Sequence, residues 1–173
     1  GWQAVRNIWL RTLPDSLSNH KEFLVGLFDW TFPIISYYVT KYCKMPTIMA
    51  SQELIFSLTR LLKCLLDFDD GMASDAPKAI EGCYIFAVVW SVGGCVDGPG
   101  RKRFDVYLRK LLAAKVYETD EYQDFKIKNP EYVETASRQS AVTLPDDGSV
   151  YDYFFDGKTA KWTNWLEGQP TFK

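Results

Sequence analysis

From Ile80 to Trp90 the sequence reads as a helix with no polar face, running through Ile80, Tyr84, Ile85, Phe86, Val88, Val89 and Trp90. A helix that is apolar all round must be enclosed, either by other elements or by lipid. The longest apolar stretch here, Cys83 to Val92, is interrupted by Tyr84 and Ser91 and falls well short of the roughly 20 residues that a membrane span needs. Enclosure by protein is therefore expected, with this helix as the central member of a bundle. The chain can supply the shell, since a globular chain of 173 residues buries on the order of 70% of its unfolded surface.

The flanking segments carry the amphipathic patterns such a shell requires. Val5, Ile8, Trp9 and Leu13 recur at helical spacing until Pro14 stops the run. Ser16 or Ser18 can cap a second segment with an apolar stripe of Phe23, Leu24, Leu27, Phe28 and Trp30. Beyond Pro33 the stripe continues through Ile35, Tyr38, Val39 and Tyr42, so two helices, or one kinked at Pro33, are expected. From Ser51, Leu54, Leu58, Leu61, Leu65 and Phe68 alternate steps of four and three, and Ile55, Leu62 and Leu66 widen the face to suit a core helix. A loop follows, and Ser74 or Asp75 caps the central helix, which begins near Pro77. Gly93 and Gly94 predict a left-handed cap at its end. After the turn Asp97-Gly98-Pro99-Gly100, Phe104, Tyr107, Leu108, Leu111 and Leu112 mark a last helix, with Arg101, Lys102, Arg103, Arg109 and Lys110 on its exposed side.

The character changes after residue 115. Tyr117 to Ser140 is polar, reads as irregular, and is expected to be a linker on the surface. Asp146-Asp147-Gly148 and Asp156-Gly157 then bracket aromatic and β-branched residues, Val150 to Phe155 and Lys161 to Leu166, which predicts two strands joined by a turn. The expected organisation is mainly α: a helical bundle over 1–115, a linker over 116–145 and a β-hairpin over 146–173. A lone hairpin is marginal in water, so it must pack on the bundle or await a partner.

The residues offer little chemistry. Twenty basic against twenty-two acidic residues leave a net charge of -2, which provides no global field for nucleic acid or an anionic membrane. Without a secretory leader, a cytosolic or nuclear setting is expected. Cys43, Cys64, Cys83 and Cys95 form no C-x-x-C pair and read as free, mostly buried thiols, with no metal site. The stretch Gly93 to Lys102 follows a helix and places Arg103 where a phosphate-binding loop needs a hydroxyl. His20, the only histidine, has no cysteine beside it in sequence. Asp67, Asp69 and Asp70 could bind a metal, but the position twelve residues from Asp67 is Lys78, not the glutamate of a calcium loop. No catalytic residue is assigned. The run Arg101-Lys102-Arg103 reads as a solvated or salt-bridged helix face, or as a protein contact.

A family resemblance supplies more. The run Cys83-Tyr-Ile-Phe-Ala-Val-Val-Trp90-Ser-Val-Gly-Gly94, followed by Asp97 and Gly100-Arg101-Lys102-Arg103-Phe104-Asp105, resembles a signature of dynein heavy chains. Gly1-Trp2 with Trp9-Leu10 and Leu13-Pro14, Leu27-Phe28-Asp29-Trp30 with Pro33, Cys43-Lys44 with Pro46-Thr47, and Ser57-Leu58 with Cys64-Leu65-Leu66-Asp67 agree with it in order. Leu144-Pro145, Gly148, Val150-Tyr151-Asp152-Tyr153, Trp162 and Trp165 resemble the segment leading into the third ATPase module.

The resemblance implies that residues 1 to about 115 form the AAA+ small or lid subdomain of the second module and that the hairpin opens the third. It implies a fragment of a microtubule motor whose parent binds ATP or ADP, while the fragment holds no cofactor. Neighbouring AAA+ modules, and through the parent microtubules and other dynein subunits, are the implied partners. The Cys-Lys and Cys-Leu-Leu-Asp elements look axonemal, hence ciliary, rather than cytoplasmic. A nucleotide-sensing role is not carried onto Arg60, Arg101 or Arg103. Arg101, Arg103, Trp162 and Trp165 are the expected interaction residues, the two tryptophans as exposed surface for the next module. Two other readings stand beside this one: a free-standing helical adaptor that binds through Arg101 to Lys110 or the hairpin, and a small cysteine hydrolase.

Overall fold

The computed structural model describes residues 1–68, 71–132 and 138–167. The central helix α4, Ala76–Ser91, is enclosed as its composition requires: from Ala79 to Gly93 only Phe86 and Trp90 are not buried. Asp75 caps it, its carboxylate accepting a hydrogen bond from Lys78 N at 3.2 Å, and Pro77 lies in the first turn, where no backbone donor is missed. Around it stand α1 (Trp2–Leu10), α2 (Lys21–Tyr42), α3 (Ser51–Leu65) and α5 (Gly98–Leu112). α3 packs on α4 and α1, while α2 crosses α4 and α5.

Pro33 does not divide α2, which runs continuously for 22 residues. Mid-helix proline costs about 3 kcal/mol in isolation. Here Leu27, Phe28, Trp30, Phe32, Ile34 and Ile35 are all 1% exposed or less, and that burial outweighs the local penalty. One span, Asp15–Tyr42, matches a membrane-crossing helix in length and mean hydropathy, yet 61% of its most apolar window is buried inside the bundle. Neither Ser16 nor Ser18 caps α2, whose N-cap position is His20 without a side-chain hydrogen bond. Tyr84 ties α4 to α2 inside the core: Thr31 Oγ1 donates to Leu27 O, so Tyr84 OH donates to Thr31 Oγ1 at 2.6 Å. Burial raises the Tyr84 pKa.

Gly93 and Gly94 do not form the left-handed cap. Gly93–Cys95 is a short 3-10 turn, and the described glycines with positive φ are Gly71 and Gly148. Gly93 is needed for close approach instead: a Cβ there would lie 2.5 Å from the Phe104 ring and 2.9 Å from the Tyr151 hydroxyl. The glycine-rich turn after it is the first turn of α5, where Asp97 Oδ1 accepts from Gly100 N at 2.8 Å.

The polar stretch after residue 115 is not irregular throughout. Asp120–Lys128 forms a helix, α6, capped by Thr119 and anchored on α2 by the buried Tyr122 and Phe125. Beyond it, Val142 and Leu144 are buried as well. The hairpin is present but shorter than expected, with β1 (Tyr153–Asp156) antiparallel to β2 (Lys161–Asn164) and Phe155 opposite Trp162. Val150–Asp152 is a 3-10 turn held by a capping box between Ser149 and Asp152. β1 packs directly on α4. At that contact the Phe155 ring occupies the space of a Gly82 side chain, so the hairpin can sit down only because residue 82 lacks a Cβ.

Candidate functional site

The three cations of the Arg101-Lys102-Arg103 run diverge, because successive helical residues turn by about 100°. Arg101 is half-buried rather than on the exposed side. Its guanidinium lies 4.7 Å from the centroid of the Tyr151 ring and 5.8 Å from that of Trp90, and those two rings meet edge-on at 5.6 Å. This cation-π cluster joins α4, α5 and the turn before β1. Tyr151 OH donates to Gly93 O at 2.6 Å, and desolvation raises the pKa of its phenol. Arg103 does something different: it donates to Tyr42 O at 3.1 Å, at the end of α2 where carbonyls lack helical partners. Lys102 points outward.

The tryptophans of the hairpin also part company. Trp162 is half-buried, packed on Phe155 at 5.0 Å, and its indole N–H donates to Val142 O at 3.1 Å. Its outward surface is therefore smaller than the sequence suggested, because the segment before the hairpin covers it. Trp165 is 40% exposed and leans on Phe154 and Phe86. With Phe86 and Trp90 one turn apart on the unburied side of α4, an aromatic strip runs from Trp90 to Trp165, with Leu166 81% exposed beyond it.

Three carboxylates hold the outer segments, and the sequence reading singled out none of them for this. Glu81, 3% exposed on the apolar α4, accepts from Ala141 N at 2.6 Å, Ser140 Oγ at 2.8 Å and Arg138 at 3.5 Å. Asp105 accepts from Arg109 Nε at 3.0 Å and Val150 N at 2.8 Å, while Arg109 also donates to Pro145 O and Gly148 O. Asp124 on α6 accepts from Tyr37 OH and Tyr42 OH, each at 2.8 Å, and from Lys41. These bonds, that to Lys41 foremost, hold its pKa down at about 2. The legible signals were the Asp105/Arg109 spacing of four and an isolated acid on an apolar helix, which must find donors when buried.

Cys43, Cys83 and Cys95 are not poised for nucleophilic attack. Burial pushes Cys43 up to about 11 and Cys83 up to about 12, and raises Cys95, the opposite of thiolate activation. Cys64 is exposed, against the expectation of mostly buried thiols. Among the described residues no group of three or more His, Cys, Asp or Glu is placed to hold a metal; Asp69 and Asp70 lie outside the described residues. The stretch Gly93 to Lys102 is a 3-10 turn and a helix start after α4. What the fold presents is a helical module with faces for contact.

The chain belongs to the dynein heavy chain AAA lid domain family, whose family model matches residues 24–167. It is similar to dynein axonemal heavy chain 3 of Homo sapiens, 27% identical over 181 residues that cover 96% of this chain and 4% of that protein. It is also similar to dynein axonemal heavy chain 12 of Mus musculus, 24% identical with 96% of this chain and 5% of that protein covered. A third relative is the ciliary dynein beta chain of Heliocidaris crassispina, 24% identical across 100% of this chain and 3% of that protein. The chain thus spans only a few hundredths of the length of these relatives.

Proposed function

We propose that this chain is the lid and connector of a dynein microtubule motor ring, seated between the second and third ATPase modules, and that it carries nucleotide-linked displacement from one module to the next without performing chemistry. The observation that carries the reading is the seating of the hairpin on α4 through Phe155 and Gly82, which makes the helical bundle and the hairpin one packed body. Cores packed this tightly move as units instead of deforming continuously. The parent chain supplies ATP or ADP sites, microtubule contact and the other dynein subunits; the axonemal and ciliary relatives favour the cilium as its setting.

Contact with the adjoining modules falls to the strip from Trp90 to Trp165, with Arg101 as its cation and Trp162 bracing the hairpin behind it. Arg103 holds the α2 end against α5. The organisation into a bundle over 1–115, a connecting stretch over 116–145 and a hairpin over 146–173 remains part of this proposal, with 133–137 and 168–173 outside the described residues. The adaptor reading is less favoured, because the family match extends from inside α2 through the hairpin. The raised thiol pKa values speak against the hydrolase.

The coding sequence on either side tests the placement. A G-x-x-x-x-G-K-[ST] motif after a strand-like run is expected on both flanks. A stop codon soon after Lys173 would overturn it.

A further inference from the structure

We infer that the outward face of α5 is a docking groove for an acidic polypeptide segment that carries one aliphatic anchor residue. Two hollows lie side by side along this helix. The larger, about 560 Å³, opens between α5 and residues 139–146, with Val106, Leu112 and Leu144 contributing its apolar lining. The smaller, about 330 Å³, lies toward Tyr38, Tyr107 and Glu121. Val106 and Lys110 line both, so the hollows meet at a ridge on which Val106 stands 52% exposed.

Cations gather on this face. Lys102, Arg103, Lys110 and Lys115 border the hollows, and none pairs with a carboxylate among the described residues. Arg109, the fifth cation, is already taken by Asp105. Glu121 and Asp146 are the acids on the rim, one in each hollow. In a chain of net charge -2, four cations without a carboxylate partner on one face are a local reversal of sign, which steers an acidic partner and rejects a basic one.

The spacing gives the partner's chemistry. Lys102, Val106 and Lys110 recur every fourth residue and so stand about 6 Å apart along the axis. A segment with carboxylates about 12 Å apart and a leucine-sized side chain between them would pair both lysines and cover Val106. The ring faces of Tyr38 and Tyr107 stack on each other at 3.9 Å and are buried, leaving no aromatic platform for bases, so a protein segment fits better than nucleic acid.

The test uses the 173-residue chain and a fluorescein-labelled synthetic helical peptide of about 16 residues, roughly the length of α5, with glutamates flanking one central leucine. Fluorescence anisotropy at low salt should show saturable binding that weakens at least about tenfold in the Lys102→Glu/Lys110→Glu variant and about fivefold in Val106→Ser, with Lys63→Glu, exposed on α3 outside both hollows, unchanged. Amide chemical shifts of the unaltered chain, titrated with the same peptide, should move over 102–115 and 139–146, which decides the matter even where a variant fails to fold. No saturable binding overturns the inference. So does equal affinity for a leucine-to-serine peptide or an oligothymidine, or shift changes that centre elsewhere. Equal binding by the charge-reversed variant, with its melting curve unchanged, overturns it too.

Discussion

α6 and the C-terminal hairpin are both too short to persist alone, and both are docked on the same bundle, yet by different physics. α6 is held by a carboxylate, Asp124, ringed by Lys41, Tyr37 and Tyr42 at the surface, over two buried aromatics. The hairpin is held by shape: Phe155 fills the space that Gly82 leaves open, and Trp162 closes over it. An electrostatic clasp can be loosened by salt or acid without a change of sequence. A packed ring yields only to a change of volume. The same chain thus attaches one appendage adjustably and the other firmly.

The largest effect should come from the firm attachment. Phe155→Ala removes a 7%-exposed ring and is expected to cost about 3 kcal/mol or more in urea unfolding followed by tryptophan fluorescence. Gly82→Ala should be strongly destabilising in the otherwise unaltered 173-residue chain and nearly harmless in the Phe155→Ala background; an unchanged penalty in both would mean that the two residues do not share that space. Glu81→Ala comes next, at about 2 kcal/mol, since it strips a charged acceptor from Ala141 N and Ser140 Oγ. Hydrogen exchange should report it as lost protection at the Ala141 amide.

The effect of Asp124 should be smaller and should depend on pH. Its pKa is depressed from 3.8 to about 2 in the folded chain, so its contribution is present above about pH 4 and is lost as pH falls through about 2. Asp124→Asn should remove that acid-linked loss, visible as α6 amides whose protection relative to the intrinsic exchange rate no longer changes across this window, while the hairpin amides behave alike in both chains. Raised salt should loosen α6 and leave the hairpin in place. Least consequential for stability is the order of thiol alkylation: exposed Cys64 should react first, and Cys83, pushed up to about 12, among the last.

How much of this was legible from residues follows the same division. The central helix and the shell around it were readable because burial on all sides leaves a compositional trace, and its cap was narrowed to Ser74 or Asp75, of which Asp75 serves. α6 was missed because only Tyr122 and Phe125 of its nine residues are buried, too few to set a period. Its end signals were present, with Thr119 as cap, Asp120 and Glu121 in the first turn, and Lys126 and Lys128 in the last. The fate of Arg101 and Trp162 could not be read locally, since Tyr151 and Val142, which engage them, lie 50 and 20 residues away in the chain. The family signature was legible throughout, and it carried what the chemistry of the site did not.

The unbroken course of α2 past Pro33 has a mechanical consequence. At 22 residues and about 1.5 Å each, it is a strut of about 33 Å. Gripped by the core along its length, it swings as one lever, so a tilt of about 10° at one end becomes nearly 6 Å of travel at the other, on the scale of one helical turn.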